Sequence, residues 1–511
     1  MSIWRLSSRR RRQVYCKSQV ALLVGMSSAA GSYCYCEQSQ VNEPPSALSS
    51  QQPTFTPDQV AQRNGQNHAA TWVTYQGKVY DITKFIAQHP GGGSMIRQAA
   101  GGSIEPYWNY WAYHTALQGP MDTLQEYEIG ELKIDIHENE QEDSKDELEE
   151  DFYEHDPDRD RCRENGQVQL VAVPWCSETH PSKLTKSFTP NESFYVRNHA
   201  PVPALDAKDH SIGVQFDEKS IAVDLERLKS DYPIVMISST LQCSGNRASE
   251  MIALAPTSFS QTPFRKIQTG MLGNAIWTGV KLSDVLLKQF PQLKNDHHHG
   301  HHHVEFEGAD GYVTSVPLSR LLDPSYDALL CWEMNGEPLP PDHGYPVRVL
   351  LPGITGARSV KWIISMRIQP NESESTFTQH YYKDPNGKAI QEMPLQSFIT
   401  SKTTIQGSNE IHVQGVAWGG ASGTGISKVE VALSNSDGKK VDWMPTTLDR
   451  SSNYDSSRLW SWVIWRAVIP FDHGGREVPK VTCRATNGKG EEQPEKFWYP
   501  KGYLYNGWHS M

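Results

Sequence analysis

The stretch 137–161, "HENEQEDSKDELEEDFYEHDPDRDR", limits the fold of this chain more than any other. Acids dominate it and apolar residues are nearly absent, so it offers no face to a core and reads as a solvated, extended tether. The chain must therefore fold as separate units on either side. Upstream, residues 1–36 are rich in arginine and serine, with no acid before Glu37. That is the composition of a mitochondrial presequence. Its apolar part, "VALLVGM", is far short of the ~20 residues that span a bilayer and reads as a sorting signal. No other segment is apolar enough to cross a membrane.

At 511 residues the chain has room for about three domains of roughly 150 residues. A polar linker, 37–53, leads into a compact unit at 54–134, where "TWVTYQGKVYDI" reads as two strands joined by a turn at Gln76-Gly77. Residues 135–161 form the acidic linker. The unit at 162–390 mixes strands ("YPIVMISS", "PVRVLLPG") with an amphipathic helix ("LSDVLLKQF"), and 391–511 alternates as a β-sandwich does, through "EIHVQGVAW", "ISKVEVALS" and "VTCRATN". The predicted fold class is thus multidomain α+β. A formal charge of −11 argues against a nucleic-acid partner and suits docking to a basic one. The histidine run at 297–303 reads as a solvated insertion before a strand, because it lacks the fixed surroundings of a working metal site.

In "FIAQHPGGGSMIRQAAGGSIEPYWNYWAYH", His89 and His114 flank two glycine-rich turns. Such turns let backbone pass close to a flat group and bring the two imidazoles face to face across a slot. Two neutral imidazoles on opposite faces of one iron leave no open position, which suits electron transfer.

A second constellation surrounds Cys243, which ends the apolar run "IVMISSTLQ". Of eight cysteines, three lie in the presequence, and the rest (Cys162, Cys176, Cys243, Cys331, Cys483) are scattered without metal-type spacing. Cys243 is therefore read as a free thiol that packs, attacks or binds metal. "FYVRNHAPVP", "FEGADGYVTSVPL", "DHGYPVRVLLPGITGARSVKW" and "HYYKD" add Arg197, Asn198, His199, Asp310, His343, Arg348, Arg358, Ser359, Lys361 and Tyr382. One thiol among many cationic donors suits an anionic, phosphate-bearing cofactor that brings ligands of its own, and the cations favour the thiolate. A Cys-His hydrolase, with Cys243 as nucleophile and His199 or His343 as base, is the rival.

Residues 54–134 resemble the cytochrome b5 domain, through "YDITKFIAQHPGGGSMI" and "YEIGEL". Residues 165–511 resemble the molybdenum and dimerisation domains of the animal-type sulfite oxidase family, through "TLQCSGNR", "VRNHAPVP", "EMNGEPLPPDHGYPVRVLLPG" and "GARSVKW". The resemblance implies a cytochrome b5-like haem domain, a mixed α+β molybdopterin fold and a C-terminal immunoglobulin-like β-sandwich. It implies haem b ligated by His89 and His114, and molybdenum-molybdopterin ligated by Cys243. Tyr195, Val196, Arg197, Asn198, His199, Asp310, His343, Arg348, Ser359, Val360 and Lys361 would hold the pterin and its phosphate. Arg197 would also face the substrate anion, and Tyr382 would gate it. The implied activity is oxidation of sulfite to sulfate by a homodimer, with electrons passing singly through the haem to cytochrome c in the mitochondrial intermembrane space. Molybdenum reduction of another oxyanion such as nitrate, and an inactive haem electron-transfer protein, are the alternatives.

One departure stands out. The family pattern has a second arginine where this chain has Ala248, and the following loop, "PTSFSQTPFRKIQTG", lacks the family's pocket tryptophan. Arg265 and Lys266 are the nearest candidates to restore the charge.

Overall fold

The computed structural model describes residues 53–511 except 66–69, 87–88, 90–92, 98, 111–113, 115–117, 134–152, 154, 173, 255–265, 295–300, 380, 385, 406–407, 435–441, 453–458, 472–477 and 500–501. The presequence, most of the acidic linker, Arg265 and the first histidines of the 297–303 run therefore lie outside the described residues.

In the first unit, Trp72–Tyr75 and Lys78–Asp81 pair antiparallel as one hairpin. Gln76 and Gly77 both have positive φ, the geometry whose twist matches the flanking strands. Glu128–Leu132 pairs with the second strand, and Thr54–Phe55 joins the far edge. Val73, Tyr80, Ile82, Ile86 and Leu124 form the core beneath this sheet.

The central unit holds two five-stranded sheets. One contains Ile234–Gln242, Leu272–Lys281, Leu329–Met334 and Glu337–Pro338, with Arg348–Leu350 also on the third strand. The other runs Val313–Pro317, His303–Gly308, Ile363–Gln369, Ser211–Phe216, Lys219–Asp224. Leu282–Gln289 forms the expected helix and buries Leu282, Val285 and Leu286. These join Phe216, Phe290, Phe306, Leu330 and Ile363 in the largest core. His303 begins a strand in register with Pro317 and Gln369, so the histidine run does lead into a strand.

The C-terminal unit is two four-stranded sheets, led by Glu410–Trp418 and by Ile426–Leu433. Their facing apolar residues, including Val413, Val429, Trp465 and Cys483, make a separate core, as in a β-sandwich. Trp460, Trp462 and Trp418 are almost fully buried. Trp460 Nε1 donates to Asp327 Oδ2 at 2.8 Å and the Trp462 amide to Thr240 Oγ1 at 3.0 Å, fastening sandwich to central unit. Among the described residues no helix is long and apolar enough to cross a membrane.

The solvated tether stops sooner than the composition predicts. Arg159–Glu164 is a helix capped by Asp158, whose side chain accepts from the amides of Asp160 and Arg161. Asp156 and Arg159 are partly buried, and Arg159 pairs with both Asp156 and Asp342.

Candidate active site and haem clamp

Cys243 follows the last residue of the Ile234–Gln242 strand, and its amide donates to the Met271 carbonyl at 2.9 Å. The chain then turns at once. The Asn246 amide donates back to the Cys243 carbonyl at 3.1 Å, and Arg247 takes a left-handed φ of 63° before the Ala248–Ala253 helix. The Arg247 guanidinium is fully buried. It grips Glu250 with two bonds of 2.7 Å and reaches Gln396 Oε1 at 3.2 Å and the Ser397 carbonyl at 3.3 Å. The loop that presents the thiol is therefore anchored in the sandwich.

Around Cys243 lies a cavity of about 670 Å³, counting its open mouth. Tyr195, Val196, Arg197, His199, Asp310, His343, Arg348, Ser359, Val360, Lys361 and Tyr382 all line it. Of the residues expected to hold the pterin, Asn198 alone does not: it sits behind the wall, donating to Asp342 Oδ1 at 2.9 Å and accepting from Lys361 Nζ. Sequence reasoning missed Phe194, Tyr312 and Asp342, which also line the cavity. Asp342 is next to His343 in the sequence, whereas Tyr312, just before the Val313–Pro317 strand, belongs to no recognised motif.

Two glycines set the close approaches. A Cβ at Gly356 would lie 2.8 Å from the Tyr195 hydroxyl and 3.1 Å from the Gln242 carbonyl oxygen, so only glycine lets the Gly356–Arg358 turn lie against the Cys243 strand. A Cβ at Gly308 would lie 2.6 Å from Asp310 Oδ1.

Arg348 spends its donors on backbone, bonding the His343 carbonyl at 2.9 Å and the Ser359 carbonyl at 3.0 Å. It thus clamps two cavity turns together while adding its charge to the wall. Burial pushes His343 down to about 3. Its Nε2 faces the Asn191 carbonyl at 3.2 Å. A neutral ring with its proton there keeps Nδ1 as an acceptor. His199 is held well below the ordinary histidine value, by burial first and by Arg197 and Lys361 next. Its Nε2 lies 3.1 Å from the Tyr382 hydroxyl. Burial raises the Asp310 carboxyl and lowers the Lys361 ammonium, each partly restrained by the other's charge.

Cys243 itself corrects an expectation. Burial pushes its thiol up, outweighing the Gly245 amide and Arg197, so the protein cations do not by themselves hold a thiolate. All five described cysteines are free. No group of three or more His, Cys, Asp or Glu that could hold a metal ion occurs among the described residues. A metal at Cys243 must therefore bring most of its own ligands. The donor set fits such a group: three cations, two neutral histidines and one thiol line the cavity. Gln242 Oε1, Ser244 Oγ and Thr355 Oγ1 nearby are buried polar atoms without a protein partner.

Ala248 is fully buried in the same apolar cluster as Ile267 and Met271, and Lys266 is exposed. Arg358 does not line the cavity. It is buried behind Tyr382, bonding the Ile390 carbonyl at 3.0 Å, with its Nη2 unpartnered. A residue with no signal in the sequence, Tyr503, stacks on Tyr382 at 5.4 Å between ring centroids. The neighbouring Leu504 amide donates to the Ser244 carbonyl at 2.8 Å. The C-terminal unit thus packs against Tyr382 and the Cys243 loop.

In the first unit the His89 and His114 rings lie 6.3 Å apart between centroids, with planes parallel to within 5°. Two imidazoles on one iron, each with a metal–nitrogen bond of about 2.0 Å, place their centroids roughly 6 Å apart. The pair fits a bis-histidine haem. Trp108 stacks on His114 at 5.3 Å, and Phe85 meets His89 edge-on.

Family models match along the chain: a cytochrome b5-like haem/steroid binding domain at 56–133, an oxidoreductase molybdopterin binding domain at 199–377 and a Mo-co oxidoreductase dimerisation domain at 387–511. The mitochondrial sulfite oxidase of Homo sapiens is 34% identical over 469 residues, which is 86% of this chain and 81% of its own length. The chain belongs to the sulfite oxidase family. The member from Gallus gallus is 34% identical over 89% of this chain and 99% of its own length, and that of Arabidopsis thaliana 32% identical over 66% and 91%. Among solved structures, the sulfane dehydrogenase SoxCD from Paracoccus pantotrophus shares the fold, with a TM-score of 0.55 and 23% identity over 68% of this chain and 88% of that one. Most of the cavity residues lie within the stretch that matches the molybdopterin binding domain, and His89 and His114 lie within the stretch that matches the haem/steroid binding domain.

Proposed function

We propose that this chain oxidises sulfite to sulfate in the cavity at Cys243 and passes the electrons singly through a haem held by His89 and His114 to cytochrome c. The observation that carries the reading is one thiol at the edge of a cation-rich cavity, with no protein-only metal site beside it among the described residues. When bound, molybdenum-molybdopterin supplies oxygen-atom transfer and two-electron redox chemistry.

The chain's own residues have these roles. Cys243 would hold the metal through its sulfur, and a thiol so bound would be a thiolate, although burial raises the free thiol. Arg348, Lys361 and His343 are assigned to the pterin and its phosphate, with Tyr195, Val196, Asp310, Ser359 and Val360 lining the same cavity. Arg197 lines the same cavity and attracts the substrate anion, and a fixed cation in a water-poor site stabilises such charge better than solvent does. His199, kept neutral by burial and neighbouring cations, holds the Tyr382 hydroxyl at 3.1 Å. Tyr382 thereby closes the pocket in one orientation.

The dimerisation-domain match supports a homodimer. The arginine-rich start and the mitochondrial relatives support the mitochondrion, and cytochrome c as acceptor adds the intermembrane space. The test is an anaerobic visible spectrum of the purified protein before and after sulfite. Reduction of a six-coordinate b haem supports substrate, metal site and transfer path together. Cys243→Ser should abolish the reduction and leave the haem spectrum intact. A protein that contains molybdenum and haem but stays oxidised with sulfite refutes the substrate assignment.

A further inference from the structure

The end of the acidic stretch reaches the cofactor cavity. Arg159 Nη1 lies 2.5 Å from Asp342 Oδ2 and Nη2 lies 3.1 Å from Oδ1, a two-pronged ion pair. The same Nη2 is 2.6 Å from Asp156 Oδ2, and the other oxygen of Asp156 accepts from the Val202 amide at 2.8 Å. The guanidinium also lies over the Trp175 ring, 5.1 Å from its centroid. Trp175 is fully buried, its Nε1 bonded to Gln167 at 2.8 Å and Ser177 at 3.0 Å. The position of Arg159 is therefore set from several sides.

Asp342 lines the cavity and is only 5% exposed. Its Oδ1 also accepts from Asn198 Nδ2 at 2.9 Å, while its carbonyl accepts from Lys361 Nζ at 2.9 Å. Lys361 Nζ donates to Asn198 Oδ1 as well. One connected path thus runs from Arg159 through Asp342 and Asn198 to the ammonium of Lys361. Burial alone would raise the Asp342 carboxyl, yet the bonds and charge of Arg159 bring it below its usual value. Deprived of Arg159, that carboxylate would be a buried negative charge in the wall of a cavity that must hold an anion, the costly case for a broken buried pair.

We propose that Arg159 is a positioning residue of the cofactor cavity: its fork neutralises and orients Asp342, which through Asn198 aims Lys361, so that the end of the haem tether latches the cavity wall. This rests on the reading of the cavity as the holder of a phosphate-bearing pterin. With the latch closed, Arg197, Arg348 and Lys361 face that anion against Asp310 alone among the cavity acids.

The full-length protein would be made in a host that supplies molybdopterin, and molybdenum and pterin measured per haem, the haem serving as internal standard. The variants are Arg159→Met, which keeps an apolar stem over Trp175, Arg159→Lys, and the double change Arg159→Met with Asp342→Asn. Arg159→Met should lower pterin per haem at least tenfold, and Arg159→Lys should retain an intermediate share. The double variant should return to within about twofold of wild type, because both buried charges are gone. A purely structural role predicts the reverse, since the double variant has lost both partners of the bond. Loading of Arg159→Met within twofold of wild type, or a double variant no better than the single, overturns the latch. If Arg159→Met is recovered only as aggregate, the comparison of Arg159→Lys with the double variant applies the same criterion. Wild-type protein that carries haem but no pterin overturns the reading of the cavity, and the latch with it.

Discussion

Replacing Arg247 by Met should cut the tie between the Cys243 loop and the sandwich domain. Methionine keeps an apolar stem and tolerates the left-handed φ of 63° no worse than arginine, so the change isolates the guanidinium. That group makes two 2.7 Å bonds to Glu250, bonds of 3.2 and 3.3 Å to Gln396 and Ser397, and lies 5.0 Å from the Tyr505 ring centroid. Burial works to raise the Glu250 carboxyl, and Arg247 overcomes it to bring the value below normal. Removing one partner of such a buried pair costs about 3–5 kcal/mol. For a domain of this size each kcal/mol moves the melting temperature by ~2–4 °C, so the expected drop is roughly 6–20 °C. Differential scanning calorimetry of the holoprotein reads it directly. The double variant Arg247→Met with Glu250→Met should regain most of the loss, because the stranded carboxylate is gone. A single variant melting within about 1 °C of wild type would refute the reasoning, and so would a double variant no better than the single.

Three further outcomes follow from the same contacts. His509 is buried, with its value lowered from 6.5 to about 4. The native state therefore binds fewer protons than the unfolded chain between those limits, and stability on the order of 3 kcal/mol should be lost as pH falls from 6.5 to 4. His509→Asn, which keeps an acceptor for the Ile399 amide and does not titrate, should flatten that part of the acid-unfolding curve. Tyr382→Phe removes the hydroxyl beside His199 Nε2; losing a bond worth ~1 kcal/mol should slow sulfite-driven haem reduction roughly fivefold in stopped-flow, with molybdenum and haem contents unchanged. Tyr503→Ala deletes a buried ring stacked on Tyr382 and should cost about 3–5 kcal/mol in chemical denaturation. A loss below ~1 kcal/mol would mean that the ring is not part of the packed wall.

Much of this molecule is legible along the chain because the relevant physics is local. Alternation and turn chemistry place the Trp72–Tyr75 and Lys78–Asp81 hairpin, and apolar periodicity places the Leu282–Gln289 helix. Histidines that flank glycine-rich turns, and one thiol among cations, point to two cofactors before any distance is known. The motifs around Cys243 name residues that line the cavity, apart from Asn198, which stands one layer back, and Arg358, which is buried behind Tyr382. They pass over Asp342 and Tyr312, and they say nothing of Tyr503, which lies 260 residues beyond the thiol in another domain.

The sequence by itself determined the domain order, the strand-rich texture and the kinds of donor available, since each depends on neighbours within a few residues. Only the tertiary structure decided what those donors are worth. Burial sets the Cys243 thiol up, against the pull of Arg197, and sets the His343 and His199 rings down, in the direction in which Lys361 also pushes them. Pairing across 183 residues turns Arg159 from a tether charge into the partner of Asp342. Desolvation and ion pairing depend on what stands within a few ångströms in space, and no local pattern records that.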